Sequence, residues 1–247
     1  KLGPYSSMLG GFAEYGLVTD MNALMEDHPD AEPGYAQFQM KVPEDVKITP
    51  ADATMVITLK ETAGYVADMK VSVNSSLLVL GTGSVAMAMS FFAKIFGAFP
   101  LIAAGRRDEP LEYIKRFGVN FTVNTEKEAL GKKVSEITGG NGVDYIIDTA
   151  GNGDLFVNSC QVLGKNGKIA PYATYDHPEK LKSVDSSLIL NARTGEVLAH
   201  QYLFDLIRLG LIDLESFYSH RMPFSEISKG FEMIKKKEAF KIVFEME

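Results

Sequence analysis

The stretch that decides the fold is Leu77-Leu78-Val79-Leu80-Gly81-Thr82-Gly83-Ser84-Val85-Ala86. Four consecutive apolar residues of strand length run into a glycine-rich turn, and the turn opens an apolar helical stretch over 85–96. A strand without polar alternation must be covered on both faces, which predicts a central strand of a parallel sheet. The Gly-x-Gly-x-x-Ala spacing carries a mechanism. Gly81 permits a tight turn, Gly83 lets a diphosphate approach the backbone, and the small Ala86 lets the helix pack close to the strand. A phosphate would then meet free N–H groups at the helix N-terminus. Glycine pairs are common in turns, so a ligand-free turn is the alternative; the strand before and the helix after favour dinucleotide binding.

Working outward, short apolar runs alternate with helical patterns. Leu101-Ile102-Ala103-Ala104 is followed by a helix over 109–117, Phe121-Thr122-Val123 by a helix over 127–138, and Tyr145-Ile146-Ile147-Asp148 by a helix over 154–163. Lys168-Ile169-Ala170 ends the series. Parallel strands joined by crossover helices predict an α/β fold with a doubly wound parallel sheet. Upstream, residues 1–50 read as β-rich, with a strand over 10–18 and an acidic loop over 27–34. Thr49-Pro50-Ala51-Asp52 has the form of a helix start, and the helical pattern from Ala51 is interrupted by Gly64, giving two helices or one bent one. Beyond Gln201 the pattern predicts a helix over 202–209, a second over 225–237 and a strand over 241–245. Lys235, Lys236 and Lys237 read as a solvated helix end whose cations complement the carbonyl dipole.

Composition narrows the class. The chain has 247 residues, 46% hydrophobic and 23% charged, which excludes disordered, collagen-like and coiled-coil proteins. A net charge of −7 leaves no footprint for nucleic acid. No apolar run reaches the roughly 18–20 residues of a membrane span, and the first residues lack the apolar core of a secretion signal. The single cysteine, Cys160, rules out an intrachain disulfide or a cysteine-rich zinc lobe within these residues and fits a cytoplasmic location. Cys160 falls on an apolar helix face and reads as core rather than nucleophile.

The second strand ends at Gly105, followed by Arg106 and Arg107. An acid about twenty residues past the fingerprint would hold both ribose hydroxyls of NAD and repel a 2′-phosphate. A glycine there, with two guanidiniums after it, predicts NADP(H), because guanidiniums fork onto phosphate oxygens. Asp108 is the competing acid, and surface pairing of the arginines with Asp108 and Glu109 is the bland alternative.

Four segments together, LLVLGTGSVAMAMSFFAKIFGA, AAGRRDEPLEYIKRFGVN, GGNGVDYIIDTAGN and LGKNGKIA, resemble the cofactor half of the medium-chain dehydrogenase/reductase superfamily. The zinc-type alcohol dehydrogenases are most similar, with their NADP-dependent secondary-alcohol members nearest around the Gly-Arg-Arg segment. The likeness continues into GGFAEYGLV, VPEDVKITPADA, SSLILNARTGEVLAH and HRMPFSEISKGFEMIKKKEAFKIVF. It implies a Rossmann domain over 59–199 with a partial GroES-like, β-rich catalytic domain built from 1–58 and 200–247. It implies that Gly81, Gly83, Ser84, Val85 and Ala86 form the pyrophosphate turn and that Gly105, Arg106 and Arg107 form the 2′-phosphate site. Thr149 and Ala150, before Gly151, would lie over the cofactor, and Pro171 and Tyr172 near the nicotinamide. Leu198 and His200 would offer backbone groups to the carboxamide, and the run 195–199 would be a strand pairing with its twin in a homodimer or homotetramer. Lys241 would reach the pyrophosphate from the other lobe.

The family's catalytic zinc is where the chain departs. Zinc-type members draw a Cys and a His-Glu pair from upstream of GGFAEY, and members run roughly a hundred residues longer, with the shortfall upstream. Zinc is therefore expected only with that segment. A third ligand comes from roughly 24 residues before the first fingerprint glycine, where zinc needs an S, N or O donor. Counting back reaches Val56 and Ile57; Glu61, the nearest donor, reads as a solvated helix residue. His28, His177, His200 and His220 show no ligand spacing, so no metal-binding residue is assigned. The expectation is an NADP(H)-dependent, alcohol dehydrogenase-like oxidoreductase of a small alcohol or carbonyl compound. The alternatives are a zinc-free quinone or enone reductase and a nucleotide-binding chain without catalysis.

Overall fold

The computed structural model describes residues 20–30 and 40–246. Its centre is a five-stranded, wholly parallel sheet formed by β1 (Leu77–Leu80), β2 (Leu101–Gly105), β3 (Phe121–Asn124), β4 (Val143–Asp148) and β5 (Leu163–Pro171). The spatial order is β3-β2-β1-β4-β5. Helices α3 (Ser84–Ile95), α4 (Asp108–Ile114), α5 (Leu130–Thr138) and α6 (Gly153–Ser159) make the crossovers. The α/β, doubly wound architecture stands as read from the apolar runs. Every residue of β1 is fully buried, because helices cover both of its faces. Residues of β1 and β2 divide by alternation: Leu77 and Val79 join the core under α2 (Pro50–Asp68), α3 and α7 (Glu196–Arg208), while Leu78 and Leu80 join the one under α5 and α6.

Helix α2 is a single helix. Thr49 caps it by accepting from the Asp52 amide at 3.2 Å, and Pro50 takes the first helical position, where its missing N–H costs nothing. Gly64 does not break it; it lets α2 lie against the loop before α7. A Cβ there would come within 1.6 Å of the Thr194 carbonyl oxygen. The remaining elements are α1 (Met21–Asp27), β6 (His220–Pro223), α8 (Ile227–Lys236) and β7 (Ile242–Glu245), with β6 and β7 paired in parallel as a separate two-stranded sheet.

One reading changes. The expected strand over 195–199 is the first turn of α7, a 13-residue helix, so no edge strand exists there for a twin to pair with. The reason is the spacing of Ala199, Leu203 and Leu206, which bury a helical face, and the left-handed Gly195 (φ 52°) that turns the chain into it. Beyond β5, an isolated bridge joins Ile189 to Ile169 at the edge of the sheet. Within the region read as β-rich, the described residues hold one helix, α1, and no strand; the strand over 10–18 and residues 31–34 of the acidic loop lie outside them. Both domain boundaries, after 58 and after 199, fall inside helices, so a division there assigns helix faces rather than cutting a linker. Among the described residues no helix is long and apolar enough to cross a membrane.

The Gly64 contact is testable. Gly64→Ala is expected to cost at least about 3 kcal/mol of unfolding free energy, the upper end of overpacking penalties, because backbone and not a flexible side chain blocks the new methyl. Gly131→Ala in α5, whose Cβ would meet nothing closer than 3.8 Å, should instead gain up to about 1 kcal/mol. Urea denaturation of both variants checks the contrast.

Candidate cofactor site

The sheet reverses its winding between β1 and β4, the place where doubly wound folds open a crevice at the carboxyl ends of the strands. A cavity of about 550 Å³ lies there. Gly81, Thr82 and Gly83 form its floor, Gly105, Arg106 and Arg107 one wall, and Thr149 and Ala150 the other. Gly81 has φ 116°, and a Cβ on it would sit 2.4 Å from Thr149 Oγ1. That hydroxyl donates to the Leu80 carbonyl at 2.8 Å and locks the β4 turn against the β1 turn. Gly83 is the N-cap of α3 in extended conformation and supplies no side-chain cap. Nothing lies within 4 Å of its would-be Cβ, and no side chain caps the first turn of α3, which begins with Ser84 and Val85. Ala86 is fully buried against the sheet, the close packing its small size was expected to permit.

No carboxylate lines this cavity among the described residues, whereas Arg106, Arg107 and Lys237 all do. Asp108, the competing acid, is the first residue of α4 and is engaged elsewhere. It pairs with Lys127 and accepts from Asn124 Nδ2 at 2.7 Å, and the two donors hold its carboxyl below the usual range. Arg107 donates from Nη1 to the Lys237 carbonyl at 3.3 Å, tying two lining residues together. A second cavity, of about 810 Å³, shares Thr82, Gly83, Arg107 and Lys237 with the first.

At the neighbouring strand ends, Pro171 pairs with Asp148, and the amides of Tyr172 and Ala173 both donate to the Asp148 carbonyl at 3.1 Å. The Tyr172 ring stands edge-on to Tyr65, centroids 5.0 Å apart, while the Tyr65 hydroxyl donates to the Pro171 carbonyl at 3.1 Å. Burial and the facing Glu61 carboxylate push the Tyr172 phenol well above its ordinary value. Glu61 is thus a half-buried partner of Tyr172, not the solvated residue its position suggested.

Residues 81–198 match the family described as zinc-binding dehydrogenase. The chain is 23% identical over 243 residues to the L-threonine 3-dehydrogenase of Bacillus velezensis, covering 95% of this chain and 64% of that protein. The solved alcohol dehydrogenase TADH from Thermus sp. ATN1 superimposes with a TM-score of 0.74 at 22% identity, covering 84% of this chain and 62% of that one. An alcohol dehydrogenase from E. coli CFT073 complexed with NADH gives a TM-score of 0.68 at 19% identity, over 83% and 61% of the two chains. The chain is thus similar to that family over residues 81–198, and its likeness to the solved structures is one of fold. It spans just under two thirds of the length of these relatives.

Measured against what the superfamily likeness implies, three residues are placed differently. Leu198 and His200 lie in α7, so their backbone groups belong to a helical ladder; the Leu198 amide already donates to the Gly195 carbonyl at 3.0 Å. Lys241 turns to α2, where its Nζ donates to Thr58 Oγ1 at 2.9 Å and burial lowers its pKa against the pull of Glu61. The cation that faces the cavity is Lys237, because its left-handed conformation (φ 62°) at the end of α8 swings the chain back across the glycine turn. Its place at the end of a lysine run gave no sign of this.

Sequence reasoning also passed over Lys60. It is only 6% exposed, with its Nζ 3.1 Å from His200 Nε2 and 3.3 Å from Glu196 Oε2. The signal was available, since Lys60 stands among the core residues Leu59, Thr62 and Ala63. A zinc site does not fit. Val56 is half-buried, Ile57 is 63% exposed, and the described residues hold no group of three His, Cys, Asp or Glu side chains that could hold a metal. Cys160 donates to the Phe156 carbonyl at 3.5 Å, and burial raises its thiol pKa, which suits packing and not nucleophilic attack.

His200 yields a pH prediction. Burial and the Lys60 ammonium lower its pKa, while Glu196 pulls the other way. Between the lowered folded value and the ordinary unfolded one, about 6.5, the unfolded chain binds more protons, so this group removes stability as pH falls. His200→Gln should shrink the loss of melting temperature between pH 7.5 and 5.5 by about 2 °C or more, at roughly 2–4 °C per kcal/mol. Differential scanning fluorimetry of both proteins across that range decides it.

Proposed function

We propose that the protein is an NADP(H)-dependent oxidoreductase that moves hydride between the nicotinamide and the carbonyl or alcohol carbon of a small molecule. The observation that carries this reading is the cofactor cavity: three cations, Arg106, Arg107 and Lys237, around a glycine turn with no carboxylate among its described lining residues. A ribose with two free hydroxyls would meet no acceptor acid at Gly105, whereas a 2′-phosphate would meet two guanidiniums. The bound dinucleotide would supply the hydride chemistry. The uncapped amides of α3 would hold its pyrophosphate, and the open face of Gly83 would let it approach. The Thr149–Ala150 turn would order the middle of the crevice, with Tyr172 at its rim.

No step is assigned to zinc, because the helix positions that would donate to it are Val56 and Ile57. That favours a metal-free carbonyl or enone reductase within the same reading. The substrate is a small molecule, the location we infer is the cytoplasm, and an assembly into dimers or tetramers would use a surface other than a strand at 195–199.

Fluorescence titration of the purified protein tests the cofactor choice. NADPH should bind at least tenfold more tightly than NADH, a difference of about 1.4 kcal/mol, and the gap should narrow as salt screens the phosphate. Equal affinities would overturn the roles of Arg106 and Arg107. Replacing both with alanine should erase the preference while leaving NADH binding within about threefold of the parent. Lys237→Ala should weaken NADPH more than Lys241→Ala does, since only Lys237 lines the cavity.

A further inference from the structure

The cavity of about 810 Å³ beside the cofactor cavity has a construction of its own. It opens where α4 meets the return from α8 to β7: Tyr113 lines it from the helix, Ala239 and Phe240 from the return. Met87, fully buried on α3, adds a third side. The aromatic wall is backed by further rings. Tyr113 and Phe240 have centroids 5.6 Å apart, Phe117 supports Tyr113 at 5.8 Å, and Phe217 supports Phe117 at 4.9 Å. The Arg116 guanidinium lies over the Tyr113 ring, 5.0 Å from its centroid.

The polar groups of this wall are already paired. The Tyr113 hydroxyl donates to the Ser216 carbonyl at 3.1 Å, and the Ser219 hydroxyl is taken by the Lys241 carbonyl and the Phe240 amide. An occupant therefore meets ring faces and Met87, and gains by burying apolar surface. Charge is confined to exposed residues. Arg107 and Lys237 stand with Thr82 and Gly83 at the neck shared with the cofactor cavity, and the Arg107 bond to the Lys237 carbonyl holds the guanidinium there. The other charged lining residues are three acids, Glu109, Glu112 and Glu238, against Arg116. A second anionic group on the occupant would meet those carboxylates. The volume falls within the roughly 300–1,000 Å³ of small-molecule sites, which combine apolar walls with a few placed polar groups.

We propose that this cavity is a second ligand site, for a singly charged carboxylate with an apolar body: the head at Arg107 and Lys237, the body against Tyr113 and Phe240. A neutral compound of the same shape lacks the group that the neck holds, and a dicarboxylate brings a charge toward the glutamates, so both bind more weakly. One consequence rests on the NADP(H) reading above. A carboxylate at the neck takes the guanidinium of Arg107, which the dinucleotide phosphate also needs, so the two ligands exclude each other. The site then acts as a brake on cofactor binding, worked by a molecule that never enters the crevice between β1 and β4.

The test uses the intact protein with 4-phenylbutyrate as probe, 4-phenylbutan-1-ol as its neutral counterpart and phenylsuccinate as the dianion, read by titration calorimetry. Phenylbutyrate should bind at one site per chain, about tenfold more tightly than the alcohol, the scale of a charge-assisted contact. In fluorescence titrations it should raise the apparent dissociation constant for NADPH in proportion to its own concentration. Tyr113→Ala removes the aromatic wall and no residue of the cofactor cavity; it should weaken phenylbutyrate about fivefold, the scale of a lost aromatic contact, with NADPH affinity within about twofold of the parent. Glu109 is exposed, so Glu109→Lys keeps the packing, and it should narrow the discrimination against phenylsuccinate by about threefold. Equal binding of acid and alcohol overturns the proposal, as does NADPH binding that phenylbutyrate leaves unchanged. A folded Tyr113→Ala protein that holds the probe like the parent also overturns it; if that variant does not fold, unaltered discrimination in Glu109→Lys does so. A protein that takes the probe with these preferences but binds neither NADPH nor NADH overturns the cofactor reading, while the site stands.

Discussion

The structure depends on one close approach, between the turn after β1 and the turn after β4. The Thr149 hydroxyl and amide both donate to the Leu80 carbonyl, at 2.8 and 3.0 Å, and this brings the two turns so close that Gly81 can carry no side chain. The contact closes the gap at which the sheet changes winding direction, and what remains open above it is the cavity. It also sets the start of α3. With Gly81 at positive φ, the chain leaves the strand sharply, Ala86 is buried, and Gly81, Thr82 and Gly83, just before the uncapped start of α3, line the crevice. A polar crossing of this kind inside an apolar sheet is tolerated because each group in it is paired.

What was legible in the sequence follows from that economy. A strand buried on both faces must be apolar throughout, so Leu77 to Leu80 and Leu101 to Ala104 announce themselves, and a turn this tight must use glycine. Thr49 and Pro50 mark the start of α2 for equally local reasons. The failures were nonlocal. Gly64 looks like a helix breaker until Thr194, 130 positions later, is known to press on it. The residues from Gly195 carry an apolar period that fits a helix, yet likeness to the family suggested a strand, and the packing of Ala199 and Leu203 on the core decided for the helix. Lys237 reads as one more solvated cation because its direction is set by a single left-handed backbone angle at Lys237 itself.

The cations are divided by environment. Arg106, Arg107 and Lys237 are exposed around an open crevice. Guanidinium suits that place, being planar and always charged. Lys60 is buried against Glu196 and His200, and Lys241 is held by Thr58, where burial lowers its pKa.

Lys241 and Lys237 are two halves of one arrangement. They stand at the two ends of the five-residue return from α8 to β7, and parallel pairing of β7 with β6 fixes where that return ends. Ser219 fastens it: its hydroxyl donates to the Lys241 carbonyl at 2.9 Å and accepts the Phe240 amide at 3.1 Å, while its amide donates to the same carbonyl at 2.8 Å. Held so, the Lys241 side chain is committed to Thr58 on α2, and the only cation of the return left to face the glycine turn is the one at its start. The cation that lines the cavity and the one held by α2 are therefore placed by the same backbone hydrogen bonds. Any movement of this return would alter the lining of the cavity and the contact with α2 together, and that coupling is a property of the fold before any ligand is considered.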